Sequence, residues 1–173
     1  MADTYLTRTF ASGGNRKTFT VSVWLKQAFA NPGGNFVVFS AGTASNNYSQ
    51  IRMKSSDYWQ FEDEAGGSVK ASRYTDSAER DPTAWSHLVV RVDTTQSTSS
   101  DRLRFYKNGQ LMNTAGGVYP DQNEDLRMGD NIVHAIGTLW RGSDSGGHWD
   151  GYMSQFIFCD GQSYAPTSFG SAN

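Results

Sequence analysis

The chain has 173 residues, a formal net charge of −2, and 37% hydrophobic and 13% aromatic side chains. This length holds one domain, residues 1–173, with a core of its own, and the composition places the chain outside the disordered class. The basic residues are scattered, which excludes a phosphate-neutralising stripe for nucleic acid. No purely apolar run exceeds four residues, as in 36–39, which excludes a membrane span of about 20 residues.

Eighteen glycines against four prolines point to many tight turns. The opening Met1-Ala2-Asp3-Thr4-Tyr5-Leu6 has no charged stretch followed by an apolar one, so the reading is synthesis in a cytoplasm without Sec export. A first strand is expected near 4–10. The segment 17–26 gives the clearest pattern: Phe19, Val21, Val23 and Leu25 share one face, and Thr18, Thr20, Ser22, Trp24 and Lys26 the other. Alternate strand residues point to opposite faces, so this strand is expected to have one buried side.

Further strands are expected near 35–41, 47–54, 57–63, 67–74, 84–93, 101–107, 132–139 and 149–159. Val89 interrupts the polar face of 84–93, which predicts cover on both sides there. Asn108-Gly109 offers the two positive φ angles of a type I′ hairpin. Asn31-Pro32-Gly33-Gly34, Gly66-Gly67, 95–100, Gly116-Gly117 and 142–147 read as turns or loops. Only Pro166-Thr167-Ser168-Phe169 suggests a helical turn. Ten short strands without helices make an all-β, two-sheet antiparallel sandwich or a barrel. The single cysteine, Cys159, lies in an apolar stretch and reads as a packing residue.

Three stretches resemble a known family. Residues 84–93, with Trp85 and His87, are similar to the "W-x-H" strand of laminin-G-like jelly rolls. Residues 103–109 resemble the family's next strand with its "Y-x-N-G" hairpin, and Ile136-Gly137 with 149–156 match the pattern near its end. The tail 158–170, Asp160-Gly161-Gln162 above all, resembles the ending of concanavalin A-like domains in tailed-phage virion proteins. The resemblance implies a jelly-roll sandwich of the concanavalin A-like type. It also implies a virion location and a capsid or tail protein as partner, with host-surface or environmental glycans as ligands.

An enzyme on this fold would be a glycanase with two facing carboxylates about 5–9 Å apart. Glu62-Asp63-Glu64 is the best acidic cluster. It matches neither glycanase spacing and runs into Gly66-Gly67, so it reads as a solvated hairpin tip. The expectation is therefore a non-enzymatic virion module, a surface, decoration or tail-associated domain with glycans as candidate ligands; the alternative is a carbohydrate-active enzyme (glycanase) or its accessory carbohydrate-binding domain. No cofactor is required. Calcium is common in the family the chain resembles and needs converging oxygens, for which Asp121, Asn123, Glu124 and Asp125 are the candidates, with Asp144 and Asp150 in a second loop. His87, His134 and His148 lie far apart in sequence, without zinc spacing. For a glycan, the candidates are Trp140, Arg141, Asp144, His148 and Trp149 around a Gly/Ser-rich loop, with Tyr58 and Trp59 as a second platform. Ring faces stack on sugar rings while hydroxyls need polar partners.

Overall fold

The alternation at 17–26 is realised in β2 (Thr18–Gln27), whose Phe19, Val21, Val23 and Leu25 are buried in the centre of the molecule. The computed structural model describes residues 4–28 and 34–170. The Asn31-Pro32-Gly33 part of the expected turn lies outside the described residues.

The other strands are β1 (Leu6–Thr9), β3 (Phe36–Ala44), β4 (Asn47–Met53), β5 (Trp59–Ala65), β6 (Ser68–Thr75), β7 (Ser86–Asp93), β8 (Leu103–Lys107), β9 (Gln110–Leu111), β10 (Thr114–Val118), β11 (Val133–Ile136) and β12 (Gly151–Asp160). One sheet runs β1-β11-β3-β4-β5-β6-β10 and the other β12-β2-β7-β8-β9, with antiparallel pairing throughout. Short 3-10 turns at Ser99–Asp101 and Pro166–Phe169 complete the secondary structure. Among the described residues no helix is long and apolar enough to cross a membrane. The chain is a two-sheet jelly-roll sandwich. Phe19, Val23, Leu88, Val90 and Phe105 face Ile51, Met53, Trp59 and Phe61 across it.

Turn chemistry sets the registers. Asn108 (φ 48°) and Gly109 (φ 80°) both adopt the left-handed conformation, as a type I′ turn requires, and Lys107 pairs with Gln110. Gly116-Gly117 is not the turn expected. It forms a bulge within β10, where the strand runs so close to β6 that a Cβ at Gly117 would strike the Ser72 carbonyl. The outer side of β2 also departs from expectation. Thr20 is buried because the tail folds back over it: its hydroxyl donates to the Gln162 carbonyl (2.7 Å) and accepts the Tyr164 N–H (2.9 Å), while buried Ser22 pairs with His87 Nε2 (2.8 Å). Val89, in the same row as Ser22, is fully buried, in keeping with the predicted double cover.

The acidic cluster is the clearest correction. Residues 62–64 lie inside β5 rather than at a hairpin tip, and Asp63 points into the core with no exposed surface. Its Oδ2 accepts the Ser49 hydroxyl and the Arg127 N–H (2.7 Å). Arg127 belongs to a strandless segment whose Leu126 and Met128 are fully buried, so this stretch plugs the sandwich between the sheets. Buried His134 holds the same plug. Its Nε2 accepts the Gly129 N–H (3.0 Å) while Nδ1–H donates to the Ile132 carbonyl (2.9 Å), which requires the neutral ring. Burial lowers the His134 pKa accordingly.

Burial pushes the Asp63 carboxyl up to about 7, against the bond from Ser49. Between an unfolded value of 3.8 and a folded value of about 7, the folded chain keeps a proton that the unfolded chain has lost. Stability from this group therefore falls as pH rises through that window, by roughly 4 kcal/mol at full ionisation. Asp63→Asn is expected to keep the contacts and remove the cost. In urea melts at pH 5 and pH 8, the variant should gain stability relative to the native chain at pH 8 and much less at pH 5. An equal effect at both values would contradict the assignment.

Candidate functional site

Where β11 ends, Gly137 adopts φ 86° and the chain enters the loop that carries most of the candidate glycan residues. The loop is fastened to β3: the Ser40 hydroxyl donates to the Thr138 carbonyl (2.7 Å) and accepts the Trp140 N–H (2.9 Å). Gly42 and Gly142 permit the approach, since a Cβ at either would press on the carbonyl oxygen of Trp140 or Thr43. Trp140 and Asp144 pair across the loop's tip.

Asp144 organises the loop from within. Its Oδ1 accepts the Thr138 hydroxyl (2.5 Å) and the Gly146 N–H (3.1 Å), and its Oδ2 lies 3.0 Å from His148 Nε2. Burial pushes its carboxyl up, but these bonds outweigh burial and hold it below the usual carboxylate range. His148 stacks on Tyr5 with ring centroids 6.0 Å apart, and Trp140 lies 6.3 Å from the same tyrosine. The result is an aromatic rim built from both ends of the chain. Tyr5 was not among the sequence candidates. It precedes β1, whose pairing with β11 joins residues 130 positions apart (Leu6 with Ile136) and leaves no local pattern.

Beside this rim lies a cavity of about 750 Å³, lined by Tyr5, Leu6, Asn35, Phe36, His148 and Trp149 among others. That volume suits a sugar-sized ligand. Trp149 has a double role. It stacks on Trp59 at 6.0 Å with its indole N–H buried and without an acceptor, and it also lines the cavity. Trp59 itself is core, with 2% exposure, so of the second platform only half-buried Tyr58 reaches the surface, beside Tyr74. Adjacent strand residues face opposite ways, which separates the pair.

Arg141 turns the other way, its guanidinium 4.0 Å above the Tyr48 ring on the outer face of the seven-stranded sheet. A polar ladder continues there, unmarked by any motif. Gln50 donates to Glu62 Oε2 (2.6 Å), Arg52 Nη2 lies 3.2 Å from the same oxygen, and Arg52 Nε donates to Gln60 (2.9 Å). Glu62 is thus a paired carboxylate and not a free acid or base beside Glu64. Burial raises the Tyr48 pKa, with Glu62 adding to it and Arg141 opposing.

Two of the calcium candidates face lysines. Glu124 pairs with Lys70 (3.3 Å), and Asp125 lies 4.0 Å from Lys17. Among the described residues no group of three His, Cys, Asp or Glu side chains converges to hold a metal. His87 packs on Trp24, and Cys159 is half-buried with its thiol pKa raised by burial.

Residues 2–161 match the laminin G family model described as the concanavalin A-like lectin/glucanases superfamily. The chain belongs to this superfamily. Solved structures agree on the fold. The carbohydrate-binding module CBM40 of the Ruminococcus gnavus IT-sialidase superposes with a TM-score of 0.61 at 15% identity, covering 89% of this chain and 91% of that one. A heptameric SAP-like pentraxin from Limulus polyphemus gives 0.57 at 16%, covering 88% and 68%. Domains LG4-5 of the mouse laminin alpha1 chain give 0.59 at 12%, covering 93% and 40%. No curated protein sequence matches significantly.

Within this superfamily fold, the rim depends on Asp144. Asp144→Ala removes a charged acceptor worth about 1.5 kcal/mol. The Gly146 amide should then exchange with deuterium about tenfold faster, while amides of β2 and β7 stay unchanged. Unchanged exchange at Gly146 would show that the loop is held by other means.

Proposed function

We propose that this chain is a non-catalytic glycan-binding module whose site is the aromatic rim formed by Tyr5, Trp140 and His148 with the adjoining cavity. The carrying observation is the stacked Tyr5–His148 pair at a sugar-sized cavity, its polar partners fixed by Asp144. The outward face of a stacked ring offers the apolar surface that a pyranose covers, and Asn35 and Asp150 in the same lining supply hydroxyl partners. The fold relationship to carbohydrate-binding modules supports the reading. Two of the superposable structures are CBM40 bound to α2,3 and α2,6 sialyllactose, so sialyllactose is the first probe.

A glycanase is the weaker reading, because Glu62 is held by Arg52 and Gln50 and Asp63 is buried in the core. A place in a phage particle rests on the resemblance of the 158–170 tail alone, and no feature of the rim favours it. The test is a glycan array followed by calorimetric titration with sialyllactose and lactose. Tyr5→Ala and His148→Ala are each expected to weaken binding about tenfold, the scale of one lost ring contact. No array signal, or binding indifferent to both substitutions, would overturn the proposal.

A further inference from the structure

A second aromatic surface lies on the outer face of the five-stranded sheet. Two sequence motifs that the rim does not use converge there. The first is the Trp85/His87 strand. The second is the tail, which crosses the sheet through the Thr20–Gln162 bond and an Arg91–Ser163 bond (2.5 Å) and ends in the turn carrying Phe169.

Between them is an open cleft of about 500 Å³ lined by Trp24, Trp85, Ser154, Gln155 and Phe169, none of them charged. Trp85 is 42% exposed and Tyr152 is 65% exposed, yet their rings lie only 6.4 Å apart, so the cleft's aromatic wall continues into solvent. Lys26 occupies the intervening position on β2 by register and places a donor at its margin.

The floor is rigid. Trp24 stacks on His87 at 4.9 Å and 12°. His87 Nε2 is 2.8 Å from the Ser22 hydroxyl, and its backbone N–H donates to Asn108 Oδ1 (2.8 Å). Gln155 adds an independent sign. It is a non-glycine residue at φ 50°, in the bulge where the β12–β2 register shifts between Ser154 and Ile157. Bulges re-aim side chains, and left-handed backbone at a non-glycine residue carries a local cost. Here the bulge delivers an amide to the edge of an aromatic cleft.

We propose that this cleft is a second saccharide site, taking an uncharged oligosaccharide whose pyranose rings lie against Trp85 and Tyr152. Charge complementarity selects the class. The five lining side chains are uncharged, and the one ammonium, that of Lys26, stands at the margin, where it donates to a sugar hydroxyl. Rigid ring faces flanked by a hydroxyl, an amide and a single ammonium suit a neutral polyol with apolar ring faces. The site does not rest on the rim reading, and the two lie on different faces, so one module would hold two chains at once.

The test is titration of the whole chain with cellohexaose, laminarihexaose and chitohexaose, read by tryptophan fluorescence and calorimetry. Saturable binding of at least one is expected. It should weaken about tenfold in Trp85→Ala and in Tyr152→Ala, survive in Trp85→Phe, and be unchanged in Tyr5→Ala. Both alanine variants alter exposed side chains, and near-ultraviolet circular dichroism checks their fold. No binding of any probe, or loss in Tyr5→Ala instead, would overturn the proposal. So would a concentration-dependent dimer in sedimentation that Trp85→Ala abolishes, which would assign the cleft to a second copy of the chain.

Discussion

Two sheets without helices bury their facing surfaces only if the gap at their ends is closed, and here a strandless plug closes it. Leu126 and Met128 enter the core, so the amides between and beyond them have no ladder to join. Asp63 takes the Arg127 N–H and His134 takes the Gly129 N–H. Each bond satisfies a buried donor that would otherwise cost on the order of 1–3 kcal/mol. The two side chains carry opposite demands on pH, since Asp63 favours its protonated form and His134 its neutral one. His134 also sits in β11, between β1 and β3. The plug therefore fixes the strand from which the rim loop departs and against which Tyr5 is brought.

Alternation made the faces of β2, β7 and β8 readable from residues alone, because a period of two is a property of the strand itself. Asn108-Gly109 was readable for the same reason, since its backbone preference is local. Other features depend on what lies across from a residue. Gly116-Gly117 has turn composition, yet its lack of side chains serves the close passage of β10 along β6. Residues 62–64 look like a solvated acid run, but only knowledge of the plug explains why Asp63 points inward. The rim was half legible. Trp140, Asp144 and His148 share one loop, whereas Tyr5 arrives through a strand pair spanning most of the chain.

The division of labour between the faces follows from β12, the edge of the five-stranded sheet. Its Phe156 and Phe158 pack toward Phe39, while Tyr152, Ser154 and Gln155 line or border the outer cleft. Just before it, Trp149 belongs to core and cavity at once. One strand thus ties the packed interior to two surfaces rich in aromatic rings. Membership of the lectin/glucanase superfamily accounts for the scaffold, and the particular rings and their polar neighbours carry the functional reading.

The most direct measurement is a 1H–15N NMR titration of the labelled chain with 3′-sialyllactose and, separately, lactose. With 3′-sialyllactose, saturable shifts are expected to concentrate at Tyr5, Gly147, His148 and the Trp149 indole N–H, with the amides of β8 unmoved. Absence of shifts at millimolar sugar, or shifts confined to the Tyr48–Arg52 face, would contradict the rim as the site.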